Sequence, residues 1–258
     1  MTPPLRVRAS DRLRRVNGPS LLRTACLYAG AGLLTLADFR SPSIARWEAY
    51  DNDSTELEEW EDRVYRSVLT PSDRVLLIGC GTGRDLLALR QLGCPVTGLE
   101  QSPALAERAR AHLATHDLPT RIVATAIESY DPDDALDAVV FSPYTYSYIH
   151  GTAARVATLA RLKRRMPSNG RVILSYISSI EQSGVWILLA RVASVCSGSD
   201  WWPERGDRLY APASHPQALS FEHQFLPDEI AGELGAAGFR VVRDEAISPQ
   251  FRFAVAVL

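Results

Sequence analysis

The sequence predicts an α/β protein built on a mostly parallel sheet, with a helical segment before the sheet and an insertion late in the chain. The first indication is an alternation of short apolar runs with segments of helical spacing, which begins near Asp73. The second is a turn rich in glycine directly after the first apolar run. The third is composition, because 258 residues with 46% hydrophobic and 22% charged side chains are typical of one globular domain with appendages.

Predicted strands and helices alternate through the middle of the chain. This order implies parallel pairing through right-handed crossovers, and ligands in such sheets bind at the carboxyl ends of the strands. The predicted strands are Arg74–Gly79, Pro95–Leu99, Arg121–Ala124, Leu136–Phe141 and Gly170–Tyr176, and the predicted helices are Arg84–Leu92, Pro103–His116 and Thr152–Arg165.

The two ends of the chain and one internal stretch complete the predicted organisation. Residues 1–68 are predicted to form a helical cap, and residues 69–258 the core. Residues from about 178 to 220 follow the fifth strand and lack clear periodicity, so we expect a lid-like insertion over the ligand cleft. A helix beginning at Leu226 stops at Gly238, and Phe239–Val242 and Phe251–Leu258 are the last predicted strands.

Charge and cysteine content indicate the setting in which the protein works. The net charge of −2 gives no overall attraction to nucleic acid, so no nucleic-acid partner is expected. Four scattered cysteines without metal-ligand spacing predict free thiols in a reducing cytoplasm. The apolar run from Ala25 to about Ala37 is shorter than the ~20 residues of a membrane span, so we expect a buried helix and no stable membrane insertion.

The chain opens with a basic stretch. Such charge runs are usually solvated faces or frayed termini, and a patch for an anionic surface is the alternative. The arginines concerned are Arg6, Arg8, Arg12, Arg14, Arg15 and Arg23.

The most specific pattern is the glycine-rich turn. A predicted strand leads into Gly79, Gly81 and Gly83, and glycine is needed where torsions are unusual or a ligand lies against the main chain. The spacing is GxGxG, with Arg84 where a nicotinamide fingerprint has its third glycine, and no phosphate-loop Gly-Lys-Ser/Thr follows. Glu100 ends the next strand, where a carboxylate can accept hydrogen bonds from both ribose hydroxyls. Together these features predict a nucleoside site.

This segment resembles motif I of the class I S-adenosylmethionine-dependent methyltransferases, and Glu100 matches their ribose-binding acidic residue. The similarity extends over about residues 73–177 and resumes at 221–258, where Phe225–Ile230 and Ala236–Phe239 resemble a late segment of the family. The resemblance implies a Rossmann-like, seven-stranded, mostly parallel sheet with an antiparallel last strand. It also implies S-adenosylmethionine as cofactor and S-adenosylhomocysteine as product. No metal is expected, because Ser142 stands where catechol-type enzymes carry an acidic metal ligand.

Two positions depart from the family pattern. Leu77 stands where the family usually has an acidic residue, and Asp85 is a candidate partner of the methionine ammonium group, with a helix-dipole role as the alternative. Thr125 stands where many relatives bind the adenine amino group with an acid. The residues predicted to bind the cofactor are Gly79, Cys80, Gly81, Gly83, Asp85, Glu100, Gln101, Ala126, Ile127, Ser142 and Tyr50.

The tyrosine-rich loop Phe141–Gly151 faces the transferred methyl group in the resembling family. Methyl transfer is an in-line displacement, so positioning the nucleophile supplies much of its catalysis. Aromatic faces suit a sulfonium or an amine, and a histidine can take a proton near neutral pH. His150 and Tyr146 are the predicted catalytic residues, with capping or packing as the alternative roles. Tyr144, Tyr148, Trp201 and Trp202 are predicted to contact the acceptor.

These observations favour methyl transfer from S-adenosylmethionine to an oxygen or nitrogen of a small molecule. A methyltransferase-like domain that binds without turnover stays open because of Leu77 and Thr125. The GxGxG spacing argues against an NAD-linked oxidoreductase, and the near-neutral charge argues against a macromolecular acceptor. Neither the acceptor nor the oligomeric state follows from the sequence, since one scaffold hosts many chemistries.

Overall fold

The central strands are short and apolar on both faces, which is the pattern of a parallel sheet covered by helices on each side. The computed structural model describes residues 25, 28–49, 56–178, 184–210 and 220–258. Its strands are β1 Val75–Ile78, β2 Val96–Glu100, β3 Arg121–Ala124, β4 Ala138–Phe141, β5 Arg171–Ser178, β6 Asp207–Tyr210, β7 Ser220–Phe225, β8 Arg240–Ser248 and β9 Phe251–Val257.

Helices flank these strands and cover one end of the sheet. Two short 3₁₀ helices, Ile127–Ser129 and Thr145–Tyr148, follow β3 and β4. The main α-helices are α1 Leu36–Ala49, α2 Glu59–Val68, α3 Arg84–Gln91, α4 Pro103–Ala114, α5 Thr152–Lys163, α6 Gly184–Ser197 and α7 Glu229–Ala236. None of the helices in the described part of the chain combines the length and apolarity that a membrane span needs.

Strand pairing confirms the predicted sheet. The parallel strands lie in the order β3-β2-β1-β4-β5, and β9 pairs antiparallel with β5 from Arg171 to Ile177. β8 pairs antiparallel with β9, which completes seven strands with an antiparallel last one. The hairpin of β6 and β7 adds two more strands, and it joins the sheet where Gln224 and Phe225 pair with the end of β5.

The core has a cluster on each face of the sheet and a third cluster under the cap. One face packs against α5 and α7, and the other packs against α2, α3 and α4. The third cluster joins α1, α6 and the β6–β7 hairpin around Phe39, Ile187, Trp201 and Phe221. The cap and the insertion therefore share one hydrophobic core.

Two expectations about the cap and the insertion are wrong. The apolar run after Ala25 is not one buried helix, because helical residues 28–31 give way to a turn in which Leu33 is 61% exposed. Thr35 and Asp38 then exchange hydrogen bonds that begin α1. The stretch from about 178 to 220 is not aperiodic, since it contains α6 and β6. The periodicity of α6 is hidden because its exposed side is also apolar.

Candidate active site

The three glycines of the loop after β1 all have left-handed backbone conformations, with φ of +74° at Gly79, +54° at Gly81 and +96° at Gly83. A Cβ at Gly79 would lie 2.6 Å from the Thr145 Oγ1 atom, and one at Gly83 would lie 3.2 Å from the Ala109 Cβ atom. A Cβ at Gly81 would meet nothing within 4 Å. Packing therefore requires the first and third glycines, whereas Gly81 leaves open space beside the main chain.

Glu100, at the end of β2, is bonded to this loop. Its Oε2 accepts a hydrogen bond from the Gly81 N–H at 2.9 Å, and its Oε1 accepts one from the Ser102 N–H at 3.0 Å. Burial raises the pKa of Glu100 above its usual value, although these two N–H groups act in the opposite direction. A carboxylate has about four acceptor positions, so even with the Gln101 N–H as a further backbone donor Glu100 keeps acceptor capacity for a ligand hydroxyl.

The end of α1 reaches the same place. The Ser102 hydroxyl donates to the Glu48 Oε1 atom at 2.5 Å and accepts from the Leu105 N–H at 3.1 Å, which caps α4. The nearby charge of Glu48 contributes to the raised pKa of Glu100. Sequence reasoning missed Glu48, since only its place in an acidic stretch marked it and the contact spans 54 positions.

Asp85 lies in a buried polar network at the start of α3. It accepts hydrogen bonds from Arg84 Nε at 2.6 Å, Ser142 Oγ at 3.1 Å and the Tyr65 hydroxyl at 3.4 Å. Arg84 also bonds Glu61 Oε1 at 2.5 Å. Burial, together with the charges of Asp85 and Glu61, raises the pKa of Tyr65. The carboxylate of Asp85 is thus already paired with a cation, and its role toward an ammonium group stays a prediction.

The loop after β3 lies beside Glu100. The Thr125 N–H donates to the backbone carbonyl of Glu100 at 2.9 Å, and the Arg161 Nη2 atom donates to the carbonyl of Ile127 at 2.6 Å. These bonds fix half-buried Ala126 and buried Ile127 next to the predicted ribose site. Cys80 is buried as well, and burial is the main cause that raises the pKa of its thiol.

A narrow cleft lies between α1, the loops after β2, β3 and β4, and the start of β7. Gln101, Glu128, Tyr148, His150 and Phe221 line it on the core side. The α1 helix closes it with Phe39, Arg40, Ser43, Arg46 and Trp47. The predicted residues Gln101, Tyr148 and His150 therefore meet at the carboxyl ends of the strands, where ligands of such sheets bind.

Comparison with known proteins agrees with this geometry. Residues 75–170 match the family described as methyltransferase domain. Over this stretch, a little more than a third of its length, the chain is similar to methyltransferases. The chain is 33% identical over 107 residues to a protein-L-isoaspartate O-methyltransferase of Methylorubrum populi, which covers 41% of this chain and 46% of that protein. It is 28% identical over 125 residues to a carboxy-S-adenosyl-L-methionine synthase of Klebsiella pneumoniae, over 46% of this chain and 49% of that one. The chain thus spans about half the length of these curated relatives.

Solved structures resemble the chain in fold. The glycopeptide N-methyltransferase MtfA in complex with S-adenosylmethionine has a TM-score of 0.55 at 20% identity, over 77% of this chain and 92% of that one. A methyltransferase of Methanosarcina mazei has a TM-score of 0.61 at 16% identity, over 78% and 98%. At such identities the likeness shows the shared fold and leaves the acceptor open.

His150 is held against aromatic rings in the cleft under α1. Its ring stacks on Phe221 with centroids 3.8 Å apart and lies 5.6 Å from the ring of Phe39. Its Nε2 atom is buried and has no hydrogen-bond partner among the described residues. Burial, with the charges of Arg40 and Arg155, lowers the pKa of His150 to about 3. Such a ring is neutral at pH 7 and a weak proton acceptor, so its role as a base stays a prediction.

Tyr146 and Tyr144 point away from the cleft lining. Tyr146 is fully buried, and its hydroxyl donates to the Glu233 Oε2 atom at 2.8 Å, so it serves the core that joins β4 to α7. Tyr144 has a left-handed backbone, with φ of +61°, and its ring packs on Phe251 at 4.5 Å. The structure therefore brings only Tyr148 of the three tyrosines to the cleft, where its ring lies 5.6 Å from that of Trp47.

The two tryptophans predicted to contact the acceptor differ from each other. Trp201 is 2% exposed and packs edge-on against Phe39 at 4.9 Å, one layer behind the cleft. Trp202 is 55% exposed, with the guanidinium of Arg191 5.3 Å above its ring. Neither lines the cleft. The predicted cofactor residue Tyr50 lies outside the described residues.

Glu204, Asp207 and His223 lie close enough together to hold a metal ion. They are already paired, because His223 contacts Asp207 Oδ1 at 2.7 Å and Glu229 Oε1 at 3.0 Å, and Arg155 Nη2 lies 3.4 Å from Glu204. Burial lowers the pKa of His223, but the hydrogen bonds to Asp207 and Glu229 outweigh it and the net shift is upward. Arg155 and the hydrogen bonds of His223 thus already occupy the atoms that would bind a metal ion.

Proposed function

We propose that this domain transfers a methyl group from S-adenosylmethionine to an oxygen or nitrogen of a small-molecule acceptor. The observation that carries the proposal is the pairing of Gly81 with Glu100. The open side of Gly81 leaves the main chain accessible, and the Glu100 carboxylate beside it keeps lone pairs for the ribose hydroxyls. Ala126 and Ile127 supply an apolar wall next to it for the adenine.

The acceptor is proposed to enter the cleft under α1. The rings of Trp47 and Tyr148 there give aromatic faces toward a sulfonium or an amine. Because α1 closes the cleft, its shape supports a small acceptor better than a folded macromolecule. With the pKa of His150 near 3, positioning of the acceptor, rather than proton removal by His150, is proposed to carry the transfer.

Calorimetric titration with S-adenosylhomocysteine tests the cofactor site, with NAD as the control ligand. We expect micromolar or tighter binding of the former alone. Glu100→Ala should weaken that binding tenfold or more, since each hydrogen bond to a charged group is worth roughly 1.5–3 kcal/mol. The matched control is Glu107→Ala, which removes an exposed glutamate of α4. Equal affinities of the two variants would contradict the ribose assignment, and binding of NAD alone would contradict the function.

A second use of the same cofactor is favoured by two arginines. Arg40 and Arg46 both line the cleft, and guanidinium groups bind carboxylates well. Carboxy-S-adenosyl-L-methionine synthase relatives reach 26% identity over an alignment of 172 residues that covers 58% of this chain. This second function is the formation of carboxy-S-adenosylmethionine. Mass spectrometry of turnover mixtures separates it from methyl transfer, because methyl transfer adds a methyl group to the acceptor whereas the second function adds a carboxyl group to S-adenosylmethionine.

The cellular setting remains a proposal too. The three described cysteines, Cys80, Cys94 and Cys196, are free thiols. Free thiols support a reducing compartment, which for this protein is proposed to be the cytoplasm.

A further inference from the structure

The α6 helix presents an apolar face to solvent. Val185, Leu188, Val192 and Val195 are 54–69% exposed, and their spacing of three and four residues places them on one side of the helix. The opposite side is buried in the cluster shared with α1. Surface helices normally carry charged side chains on their exposed face, but the single charged residue in α6 is Arg191. This face therefore lacks the composition of a solvated surface.

Two more exposed apolar side chains belong to the same region. Leu33 is 61% exposed and lies in a turn held to α6, where the Ser197 hydroxyl donates to the Gly32 carbonyl at 2.9 Å. Trp202 is tied to α6 through the Arg191 guanidinium above its ring. We call Leu33, Val185, Leu188, Val192, Val195 and Trp202 the α6 patch. It includes all but one of the exposed large hydrophobic side chains in the described residues, the exception being Val242 on β8.

Charge identifies what covers the α6 patch. Residues 1–24 contain six arginines and one aspartate, which gives this segment a formal charge of +5. The segment ends at residue 24, and about eight to ten residues later, at residues 32–34, the chain forms the turn that packs on α6. An apolar helix face with a basic segment tethered beside it is the pairing of signals by which proteins bind anionic lipid surfaces.

We propose that the α6 patch and the basic segment together dock the protein on an anionic membrane surface. The apolar side chains enter the boundary between headgroups and acyl chains, and the arginines of residues 1–24 bind the acidic headgroups. A second copy of the chain fits less well. Pairing two α6 patches would bring two segments of charge +5 together, and like charges repel.

Vesicle co-sedimentation of the full chain tests the proposal. We expect binding to vesicles of equal parts phosphatidylcholine and phosphatidylglycerol, weak binding to phosphatidylcholine alone, and a decrease with added salt. The double variant Leu188→Glu/Val192→Glu should bind the anionic vesicles at least about tenfold more weakly, because two apolar contacts are replaced by charges repelled by the lipid. The matched control, Val242→Glu, adds a carboxylate at the exposed apolar position outside the patch and should bind only slightly more weakly.

A third variant tests the basic segment separately. Arg12→Gln/Arg14→Gln/Arg15→Gln should bind the anionic vesicles on the order of 100-fold more weakly and show a smaller salt dependence, since three charges that attract the acidic headgroups are removed. Unchanged circular dichroism of all variants shows that they are folded. Equal binding by Leu188→Glu/Val192→Glu and Val242→Glu would overturn the proposal. A second result would also overturn the proposal: the wild type is a dimer in light scattering and does not bind vesicles, and Leu188→Glu/Val192→Glu is a monomer. A second copy of the chain would then cover the α6 patch.

Discussion

At the level of single residues, the glycines of the loop after β1 have different roles: Gly79 is needed for stability, and Gly81 for access of a ligand to the main chain. Gly79→Ala puts a Cβ against the stiff side chain of Thr145 in addition to a left-handed backbone, and Gly81→Ala incurs only the backbone strain. The left-handed conformation costs roughly 1–2 kcal/mol, and overpacking adds about 1–3 kcal/mol. We therefore expect urea unfolding to show a larger loss of stability for Gly79→Ala than for Gly81→Ala.

The affinity for S-adenosylhomocysteine should distinguish the same two variants in the opposite way. We expect Gly81→Ala, the more stable of the two, to be the one that binds the ligand more weakly. The methyl group of Gly81→Ala enters the open space beside the Glu100 carboxylate, where a cofactor is expected to lie. Calorimetry should therefore show weaker S-adenosylhomocysteine binding for Gly81→Ala even though its fold is the less disturbed. If Gly81→Ala binds as wild type does, the open side of the loop does not face the ligand.

The residues that the sequence could identify are those whose partners lie in one βαβ unit. The glycines and Glu100 are predictable because a strand, a turn and a helix fix their separation. The Arg84–Glu61 pair spans 23 positions and the Tyr146–Glu233 bond spans 87. Such contacts depend on how separate elements pack, and Tyr146 therefore gave no sequence signal that its hydroxyl is held in the core.

At the level of elements, a buried histidine joins the β6–β7 hairpin to α7. His223 on β7 contacts Asp207 on β6 and Glu229 at the start of α7. Arg155 on α5 lies 3.9 Å from the same glutamate, Glu229. The raised pKa of His223 means that the folded protein holds this proton more tightly than the unfolded chain. The stabilisation is therefore complete below the unfolded pKa of about 6.5 and is lost as pH rises through the folded pKa.

Substitution of His223 should show this pH dependence. The loss of unfolding free energy in His223→Gln should be larger at pH 6 than at pH 9, by roughly 1.4 kcal/mol for each unit by which folding raises the pKa. Chemical unfolding at the two pH values measures the difference, and His116→Gln, at an exposed histidine after α4, is the control. A loss that is the same at both pH values would mean that His223 acts through packing alone.

The same scale shows where element prediction fails. The buried strands and the helices of the core were predicted because each has one apolar face or two, in the period of its structure. The β8 strand extends to Ser248, beyond the predicted Val242. The prediction ended too early because β8 pairs only with β9 and carries charged residues such as Arg243, Asp244 and Glu245, which give no apolar pattern. The α6 helix was missed for the opposite reason, since an apolar exposed face erases the helical period.

At the level of the whole molecule, α1 connects the cap, the core and the insertion. Its Glu48 bonds Ser102 beside the predicted cofactor site, Arg40 lies 3.3 Å from Glu128 after β3, and Arg46 donates to Ser220 on β7 at 2.9 Å. The third hydrophobic cluster adds Phe39 to the same junction. Because one helix ties these parts together, we expect them to unfold in one transition, and ligand binding in the core should stabilise the cap as well.

Thermal unfolding with S-adenosylhomocysteine tests this coupling. At a free ligand concentration 100 times the Kd, binding stabilises the folded state by about 2.7 kcal/mol, which for a chain of this size raises the Tm by roughly 5–10 °C. Far-UV circular dichroism and tryptophan fluorescence should shift together, since all five tryptophans lie in residues 1–68 or 178–220 and report the cap and the insertion. At the same ligand concentration, Glu100→Ala with tenfold weaker binding should show about half the shift. A fluorescence transition that stays in place while circular dichroism shifts would mean that α1 unfolds independently, and the acceptor cleft would then form only when the cap closes on the bound ligand.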